Sequence, residues 1–483
     1  MARRSLDAYR SKRDPARTPE PVPASRTGRG RPHEENRFVI QEHHATALHW
    51  DFRLERDGVL VSWALPKGLP LDPRTNHLAV HTEDHPLEYL TFSGTIPAGE
   101  YGGGTVTIWD HGTYRCEKWR DTEVIVVLHG TRAEGRYVLF ATKGKQWMIH
   151  RMDPAPPGYQ PLPESLAPML ATTGTLPTTG EGWAFEFKWD GIRAILAVDG
   201  GRVRASSRNR RDITGSYPEL RALGEAVGAD QLLLDSELVV VDDGGRPSFG
   251  RLQHRMQVQG PAAARAAARD PVSIVLFDLL HHNGEPLFDL PYDDRRARLE
   301  GLGLAGPRWA VTPAFVDEEP KAALSLATDI GMEGVVAKRR ASRYRPGTRS
   351  RDWIKVKAER TQEVVIGGWT AGQGNRSGTF GALLLGLPDQ SNAGRLRFVG
   401  KVGTGFDSAA LDDVLGRLEH ARRDASPFTD RLPTGTGEVA GWAEPSLVGE
   451  VRYTEWTGDG RLRHPVWRGL RSDKTVEEVV REP

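Results

Sequence analysis

The stretch EFKWDGIRA, residues 186–194, places one lysine among an acid, two large rings and an Asp-Gly turn. Lysine is seldom buried unless its ammonium group is paired or takes part in a reaction. The alternating residues that follow turn at Asp199-Gly200-Gly201 and return as a second strand, which is typical of a β-hairpin. The stretch therefore predicts antiparallel sheet beside Lys188 and makes this lysine the first candidate for chemistry.

The hairpin pattern continues downstream of this lysine. Apolar runs at residues 231–249 and 272–287 turn at Asp-Gly and Asn-Gly steps, and helical patterns occupy residues 216–227, 293–302 and 319–331. Hairpins with intervening helices predict an α+β domain built on antiparallel sheet.

The segments on either side predict further β domains, so the expected fold class is multidomain and β-rich. Strand patterns after residue 360 predict a five-stranded oligonucleotide-binding (OB) barrel, and those between residues 36 and 154 predict a small all-β barrel. The predicted division is a basic Pro/Arg-rich leader (1–35), the all-β barrel (36–154), a Pro-rich linker (155–165), the α+β domain (166–360) and the OB barrel (361–483).

Composition limits the class of protein. The 483 residues carry a formal net charge of +1, which leaves room for a local basic groove on a neutral total. The single cysteine, Cys116, excludes an internal disulfide and favours a reducing cytoplasm. No apolar run approaches the roughly 20 residues that a membrane helix needs, and the N-terminus lacks the apolar core of a signal peptide. We therefore expect a cytoplasmic protein without a membrane partner.

Charged residues around the lysine predict a polyphosphate site. Lys355 and Lys357 alternate in WIKVK, so both point to one face of a strand. Two ammonium groups on one face favour a bound anion, and they would lower the pKa of a neighbouring lysine that must attack phosphorus in its neutral form. The acids Glu186, Asp190, Glu237 and Glu333 could hold Mg²⁺ beside phosphate. Taken singly, each of these groups is common on a solvated surface.

Their order along the chain resembles the covalent nucleotidyltransferase superfamily, and within it the ATP-dependent DNA ligases. Seven blocks follow in family order: EFKWDGIR, SSRNRRDIT, LLDSELVV, VLFDLL, EGVVAK, WIKVK and LRHPVWRGLRSDK. The resemblance implies that Lys188 becomes adenylated by ATP, passes AMP to a DNA 5′-phosphate, and so allows a 3′-hydroxyl to seal the strand. It also implies a hinge near residues 358–361 that swings the last domain between steps.

The same resemblance implies a role for each matching residue. Glu186 would read the adenine amino group, Phe277 would stack on the adenine, and Asp190 would lie in the nucleotide site. Arg193 and Glu237 would lie near the ribose and the metal, and Glu333 would serve the metal. The expected phosphate contacts are Lys355 and Lys357 on the α-phosphate, Arg208 on the 5′-phosphate of the nick, and Arg471, Asp473 and Lys474 on the leaving pyrophosphate.

A second candidate site lies upstream, in HHATALHWDFR. His49, Asp51 and Arg53 alternate on one strand face, with His43 before them and His85 and Tyr89 after them. Two imidazoles and a carboxylate could bind Mn²⁺ or Zn²⁺, and Arg53 and Lys67 could hold a phosphate beside it. The alternative is a set of surface histidines, since 15 are scattered along the chain.

The region from residue 5 to about residue 154 resembles the 3′-phosphoesterase module of bacterial non-homologous end-joining ligase D. The matching stretches are residues 38–68, 78–89 and 94–106. The resemblance implies Mn²⁺ held by His43, His49 and Asp51, with Arg53, His85, Tyr89 and Lys67 on phosphate or assisting. It further implies removal of 3′-terminal ribonucleotides and phosphates. The leader YRSKRDPARTPEP is similar too, which argues against a disordered tail, although Pro15 puts the docking of Arg13, Asp14 and Glu20 in question.

The combined resemblance implies ATP with Mg²⁺ or Mn²⁺ for the ligase and Mn²⁺ for the phosphoesterase. The expected partners are DNA nicks or double-strand ends, the Ku end-binding protein and a separate polymerase or primase, since no segment here is left for a polymerase domain. We expect a nucleoid-associated monomer. Three alternatives remain: an RNA ligase or capping-type nucleotidyltransferase, a ligase with an inactive structural N-terminal module, and a non-catalytic DNA-binding scaffold.

Overall fold

The computed structural model describes residues 6–23, 36–358 and 360–482, except the side chain of residue 375. In the leader, helix α1 (Asp7–Arg10) precedes a segment that lies against the first barrel. The predicted leader extends beyond what is described, because residues 1–5 and 24–35 lie outside it. The same holds for residue 359 in the predicted hinge.

The first barrel is closed, as the alternating sequence predicts. Strands β1 to β4 and β6 to β9 form a continuous antiparallel order, and β1 pairs with both β2 and β6, while β5 adds to the outer edge of β6. Large inward side chains such as Trp50, Phe52 and Trp63 are fully buried in its core. The strands are β1 (Asn36–His44), β2 (Leu48–Arg56), β3 (Val59–Leu65), β4 (Asn76–His81), β5 (Gly94–Ile96), β6 (Gly104–Arg120), β7 (Glu123–Gly130), β8 (Glu134–Lys143) and β9 (Gln146–Arg151).

The central region consists of two sheets and five α-helices. One sheet has the order β10-β20-β19-β11-β18, and the other has β13-β12-β14-β15-β16 with β17 on β15. Its elements are β10 (Leu170–Thr173), β11 (Trp183–Phe187), β12 (Ile192–Asp199), β13 (Arg202–Ser207), α2 (Leu220–Val227), β14 (Leu232–Val240), α3 (Phe249–Gln253), α4 (Pro261–Arg269), β15 (Val272–His282), β16 (Glu285–Pro286), α5 (Tyr292–Gly301), β17 (Trp309–Val311), β18 (Ala314–Val316), α6 (Pro320–Asp329), β19 (Gly334–Arg339) and β20 (Arg349–Lys357).

The quoted stretch crosses from one of these sheets to the other. β11 ends at Phe187 and belongs to the first sheet, whereas β12 begins at Ile192 and belongs to the second. Lys188 therefore lies in the connection between two sheets. The expected turn at Gly200 and Gly201 joins β12 to β13, and both glycines have positive φ angles of 53° and 71°, which the turn requires.

The last region is β-rich and consistent with an OB fold, but it has seven strands where five were predicted. The long strand β21 pairs with β26 along its first half, with β25 along its second half and with β22 on its other edge. Its elements are β21 (Thr361–Ala371), β22 (Phe380–Pro388), β23 (Leu396–Val402), α7 (Ser408–His420), β24 (Arg422–Arg423), β25 (Val439–Ala443), β26 (Val448–Arg452) and β27 (Val466–Leu470).

Short 3₁₀ helices complete the described structure, at Leu87–Thr91, Thr214–Ser216, Gly374–Arg376 and Val476–Glu478. Among the described residues, every helix is too short or too polar to cross a bilayer. The domain boundaries given above stay predictions.

Candidate active sites

Lys188 lines a cleft of about 620 Å³ between the central region and the last region. Both sheets of the central region contribute to its walls, and the last region closes one side. Most of the residues singled out from the ligase-like blocks line this cleft: Glu186, Lys188, Arg193, Arg208, Glu237, Phe277, Glu333, Lys355, Lys357, Arg471, Asp473 and Lys474. Asp190 is not among the lining residues. Its carboxylate instead contacts the guanidinium of Arg468, at 2.6 Å.

The ammonium of Lys188 contacts the carboxylate of Glu333, whose other oxygen lies 3.5 Å from Lys357 Nζ. Burial alone would raise the pKa of Glu333, but Lys188 and Lys357 outweigh it and hold this pKa far below its usual range. Glu333 is thus a fixed anion beside the candidate nucleophile.

Lys355 and Lys357 lie on one face of β20, as the alternation in WIKVK predicts, but their surroundings differ. Burial lowers the pKa of Lys355 to about 8, with Lys357 and Lys188 adding to the effect and Glu482 opposing it. Burial also disfavours the charge of Lys357, yet Glu333 and Glu450 outweigh it and raise its pKa. Of these two lysines, Lys357 therefore keeps its positive charge, whereas Lys355 has a pKa of about 8.

Two other carboxylates near Lys188 have raised pKa values, in contrast to Glu333. Burial raises the pKa of Glu237 to about 8, and Arg193 and Lys188 only partly offset it. Burial and then Glu333 raise the pKa of Asp190 to about 6. Glu237 and Glu333 supply the hard oxygen donors that Mg²⁺ prefers, and a bound cation would favour the ionised form of Glu237. This donor set fits the implied metal.

The rings of Phe277 and Trp353 line the cleft together with Glu186 and Arg193. Phe277 is 8% exposed, and the guanidinium of Arg193 lies 4.8 Å from its ring centroid. Arg193 in turn donates two hydrogen bonds of 2.6 Å to Asp235. Glu186 is buried and forms an ion pair with Lys338 at 2.7 Å. A planar base would fit here between ring faces and polar edges.

The last region contributes the end of its block LRHPVWRGLRSDK to the lining of the cleft. Arg471 donates two hydrogen bonds to Asp473, and Lys474 forms an ion pair with Glu363 at 2.7 Å. Arg468 bridges the regions through Asp190. In the described structure the last region is therefore closed against the central region, and Arg471 and Lys474 line the same cleft as Lys188.

The segment after this ending also enters the cleft. Glu478 forms an ion pair with Arg208 at 3.2 Å, and Glu482 forms one with Lys355 at 3.1 Å. Gln362 holds the segment by donating to the carbonyl of Val480 and accepting from the backbone amide of Glu482. Sequence reasoning missed these two acids, because an acidic ending without a motif gives no signal of where it folds.

The upstream candidates form a second site on the first barrel. His43 and His49 are direct partners across β1 and β2, so their rings meet on one face. His43 Nδ1 lies 3.4 Å and His49 Nε2 lies 3.8 Å from the two oxygens of Asp51. All three ligand atoms lie within 4.8 Å of one another. The set combines two nitrogens and a carboxylate and fits Mn²⁺ or Zn²⁺.

The other residues proposed for the phosphoesterase site contact protein groups in this structure. Arg53 is buried, and its guanidinium donates to Asp51, Gln41 and Ser62, so it positions Asp51. Lys67 faces the central region instead, with its ammonium 3.8 Å from Asp199. Burial, followed by Arg53 and Arg13, lowers the pKa of His85 well below its usual value.

Residues 6–23 of the leader dock beside the cluster, as the resemblance implies. Tyr89 donates its hydroxyl hydrogen to Glu20, and Glu20 also accepts from Arg13 at 2.7 Å. Arg13 and Glu20 are therefore docked despite Pro15, while Asp14 accepts from the amide of Ala16 within the leader turn.

Comparison with known proteins gives matches along most of the chain. Family models match three segments: a DNA ligase D 3′-phosphoesterase domain (41–141), an ATP-dependent DNA ligase domain (168–357) and an ATP-dependent DNA ligase C-terminal region (376–474). A solved structure of mycobacterial DNA ligase D complexed with ATP and MES is 43% identical, with a TM-score of 0.52. It covers 66% of this chain, which in turn covers 98% of that one. The chain belongs to the DNA ligase D family.

Full-length relatives in the ligase D family are longer than this chain. The multifunctional non-homologous end joining protein LigD of Mycobacterium bovis is 48% identical over 483 residues, which cover 99% of this chain and 61% of that protein. The Pseudomonas aeruginosa protein of the same name is 38% identical, covering 99% of this chain and 62% of that protein. This chain thus spans about three fifths of their length.

Proposed function

We propose that this chain is an ATP-dependent DNA ligase that seals strand breaks and also repairs their 3′ ends. The observation that carries the proposal is the environment of Lys188, which faces one cleft together with Lys355 and Lys357, the Phe277 ring, and Arg471 and Lys474 of the last region. A nucleophile, a base-binding end and a cationic phosphate-binding end are all within one site.

In the first step, Lys188 loses a proton to water and its neutral amine attacks the α-phosphorus of ATP. A phosphorus–nitrogen bond forms, the bond from the α-phosphorus to the bridging oxygen breaks, and pyrophosphate leaves. Lys355 and Lys357 stabilise the charge on the α-phosphate, while Arg471 and Lys474 orient the leaving group. Glu186 and Phe277 bind the base and Arg193 completes the nucleotide site, while Asp190 holds Arg468 of the last region beside it.

In the later steps the adenylate passes to a DNA 5′-phosphate, and a 3′-hydroxyl then displaces AMP to form the phosphodiester. Arg208 contacts the 5′-phosphate in this scheme. A Mg²⁺ ion held by Glu237 and Glu333 would neutralise phosphate charge when bound. Because Arg471 and Lys474 act only on pyrophosphate, the last region moves away before DNA binds, with residues 358–361 as the hinge.

The 3′-phosphoesterase activity rests on the second site. His43, His49 and Asp51 would hold Mn²⁺, which would supply a Lewis acid for an ester phosphate. Arg53 keeps Asp51 ionised and in place, and Tyr89 and His85 line the same neighbourhood. Producing a 3′-hydroxyl and using one on the same chain raises the local concentration of repairable ends.

The substrates and partners follow from the family. The relatives' names refer to non-homologous end joining, so we propose DNA nicks and double-strand ends as substrates in bacterial break repair. Ku, a separate polymerase or primase, action as a monomer and association with the nucleoid are proposed on the same basis. An RNA ligase or capping-type enzyme would share the lysine chemistry but differ in nucleotide or strand.

The ligase proposal is tested by incubating purified protein with ATP and Mg²⁺ and recording its intact mass. We expect a gain of one AMP on Lys188, none in Lys188→Ala, and sealing of a nicked DNA duplex faster than of a nicked RNA strand. Transfer from GTP in preference to ATP, or adduct formation on another side chain, would overturn it.

The phosphoesterase proposal is tested with a 3′-phosphate primer and Mn²⁺. We expect His49→Ala to lose phosphate release while still forming the AMP adduct. Unchanged phosphate release in that variant would make the first barrel a structural module.

A further inference from the structure

Glu186 accepts hydrogen bonds from two residues that lie outside the ligase-like blocks. The hydroxyl of Tyr292, the first residue of α5, donates to Glu186 Oε1 at 2.6 Å. The Arg296 guanidinium, one turn further along the helix, lies 3.5 Å from the same oxygen. Tyr292 is fully buried and does not line the cleft, so it contacts Glu186 from outside the cleft.

The second oxygen of Glu186 is held from another direction. Lys338 Nζ lies 2.7 Å from Oε2, and it is also 4.3 Å from the centroid of the Trp353 ring and 4.8 Å from that of Phe277. It also lies 5.3 Å from the centroid of the Tyr292 ring and 3.4 Å from the carbonyl of Phe277. Both carboxylate oxygens are therefore fixed by buried donors on separate elements, and the carboxylate cannot rotate without losing one of them.

We propose that Tyr292 is a specificity-determining positioning residue, which locks Glu186 in the orientation that accepts from the 6-amino group of adenine and rejects guanine. The inference rests on the proposed adenylation reaction and adds to it the origin of nucleotide choice. The ionised carboxylate of Glu186 can only accept hydrogen bonds. Because Tyr292 and Lys338 already occupy one lone pair on each oxygen, the remaining lone pairs point in fixed directions. Adenine presents a donor at C6, whereas guanine presents an acceptor there.

Fixed geometry matters because guanine also has a donor, at N1. A carboxylate that could rotate would reach that donor and bind guanine nearly as well. The Tyr292 hydroxyl prevents this rotation, so the guanine 6-oxo group faces a negative oxygen at close range. Such rejection of a competing ligand by an unpaired or repelled polar group is a common source of selectivity. Burial raises the pKa of Tyr292 well above its usual value, so the hydroxyl remains a donor at every working pH.

The test is Tyr292→Phe, which removes one hydroxyl and keeps the ring. The rate constant kcat/KM for forming the protein–nucleotide adduct is measured with ATP and with GTP. We expect the ATP-to-GTP ratio to fall by about 10-fold, the size expected for one lost hydrogen bond to a charged group. We expect Arg296→Lys to shift the ratio in the same direction but less.

Tyr344→Phe is the matched control. Tyr344 is equally buried and donates at 2.6 Å to Asp235, the partner of Arg193 on the ribose side of the site. Loss of the Tyr344 hydroxyl should change kcat/KM for ATP and for GTP by the same factor, so the ATP-to-GTP ratio should stay unchanged. Thermal unfolding of each variant confirms that the fold is retained, and Arg296→Lys carries the test should Tyr292→Phe not fold.

The outcomes separate this proposal from the function on which it rests. No adduct with either nucleotide in the unsubstituted chain means that the proposed ligase chemistry fails. Adduct formation with an unchanged ATP-to-GTP ratio in Tyr292→Phe and Arg296→Lys overturns the positioning role. A ratio that falls equally in Tyr344→Phe also overturns it, since any loss of buried hydrogen bonding would then suffice.

Discussion

The carboxylate of Glu482 lies 3.1 Å from the ammonium of Lys355, inside the cleft that contains Lys188. Lys355 is the residue proposed to hold the α-phosphate, so the segment 475–482 places an anion of its own where a phosphate is expected. The backbone contacts to Gln362 and the burial of Val479 hold the segment there. We therefore infer that Glu482 competes with ATP for Lys355.

We predict that Glu482→Gln lowers the KM for ATP in adduct formation. Removing a partly buried competing charge of this kind is worth about 1 kcal/mol, which corresponds to roughly a fivefold change. Glu478→Gln is the control, because Glu478 contacts Arg208 at 3.2 Å and not Lys355. It should leave the KM for ATP unchanged and strengthen binding of nicked DNA. A KM for ATP that rises in Glu482→Gln would contradict competition and indicate that Glu482 supports the site.

The pH dependence of the first step should report Lys355. Its pKa of about 8 means that the free protein loses this positive charge as the pH rises through that value. The attraction for the α-phosphate is then lost, so kcat/KM for ATP should fall above pH 8. Lys355→Arg stays charged and should lack that fall. Because Glu482 raises the pKa of Lys355, Glu482→Gln should move the fall to lower pH. A fall that persists unchanged in Lys355→Arg would assign it to another group.

Local pattern explains which parts of the fold were predicted. The barrel strands and the β12–β13 turn follow from alternation and from paired glycines, which act over a few residues. Helices α3, α4 and α7 were missed although residues 261–269 are rich in alanine and residues 408–420 have a helical pattern with Asp407 as N-cap. Both segments carry a local helical signal, but each lies between strands with a stronger apolar pattern.

The site was predictable to the extent that each motif carries its own chemistry. Lys188, Lys355, Lys357 and Glu333 were brought together as expected, because their spacing and family order specify them. Tyr292 and Glu482 were not found, since each acts through a contact more than 100 residues away in sequence. Arg53 was expected beside the phosphate, but its hydrogen bonds to Asp51, Gln41 and Ser62 were not, because sequence does not show which side chains meet a buried guanidinium.

Stability of the central region should depend on a buried ion pair outside the cleft. Arg295 and Asp278 are both buried and share two hydrogen bonds of 2.7 and 2.9 Å. Arg295→Leu leaves the Asp278 charge unpaired, which we expect to lower the free energy of unfolding by about 3–5 kcal/mol. Arg417→Ala removes an exposed pair with Asp413 and should cost about 0.5 kcal/mol or less. Chemical denaturation measures both, and equal effects would contradict the dependence on burial.

The docked leader should control the phosphoesterase site without affecting adduct formation. Tyr9 is fully buried, its hydroxyl donates to the carbonyl of Pro21, and its ring lies 5.0 Å from that of His85. Tyr9→Ala removes this aromatic contact, at a cost of about 3 kcal/mol to docking, so trypsin should cleave after Lys12 on the order of 100-fold faster. Release of 3′-phosphate should fall in parallel, whereas the AMP adduct on Lys188 should form at the original rate. Arg17→Gln is the control, because Arg17 is largely exposed and contacts only the rim at Glu100. If the leader of Tyr9→Ala is cleaved faster but phosphate release is unchanged, the leader stabilises the barrel without contributing to its chemistry.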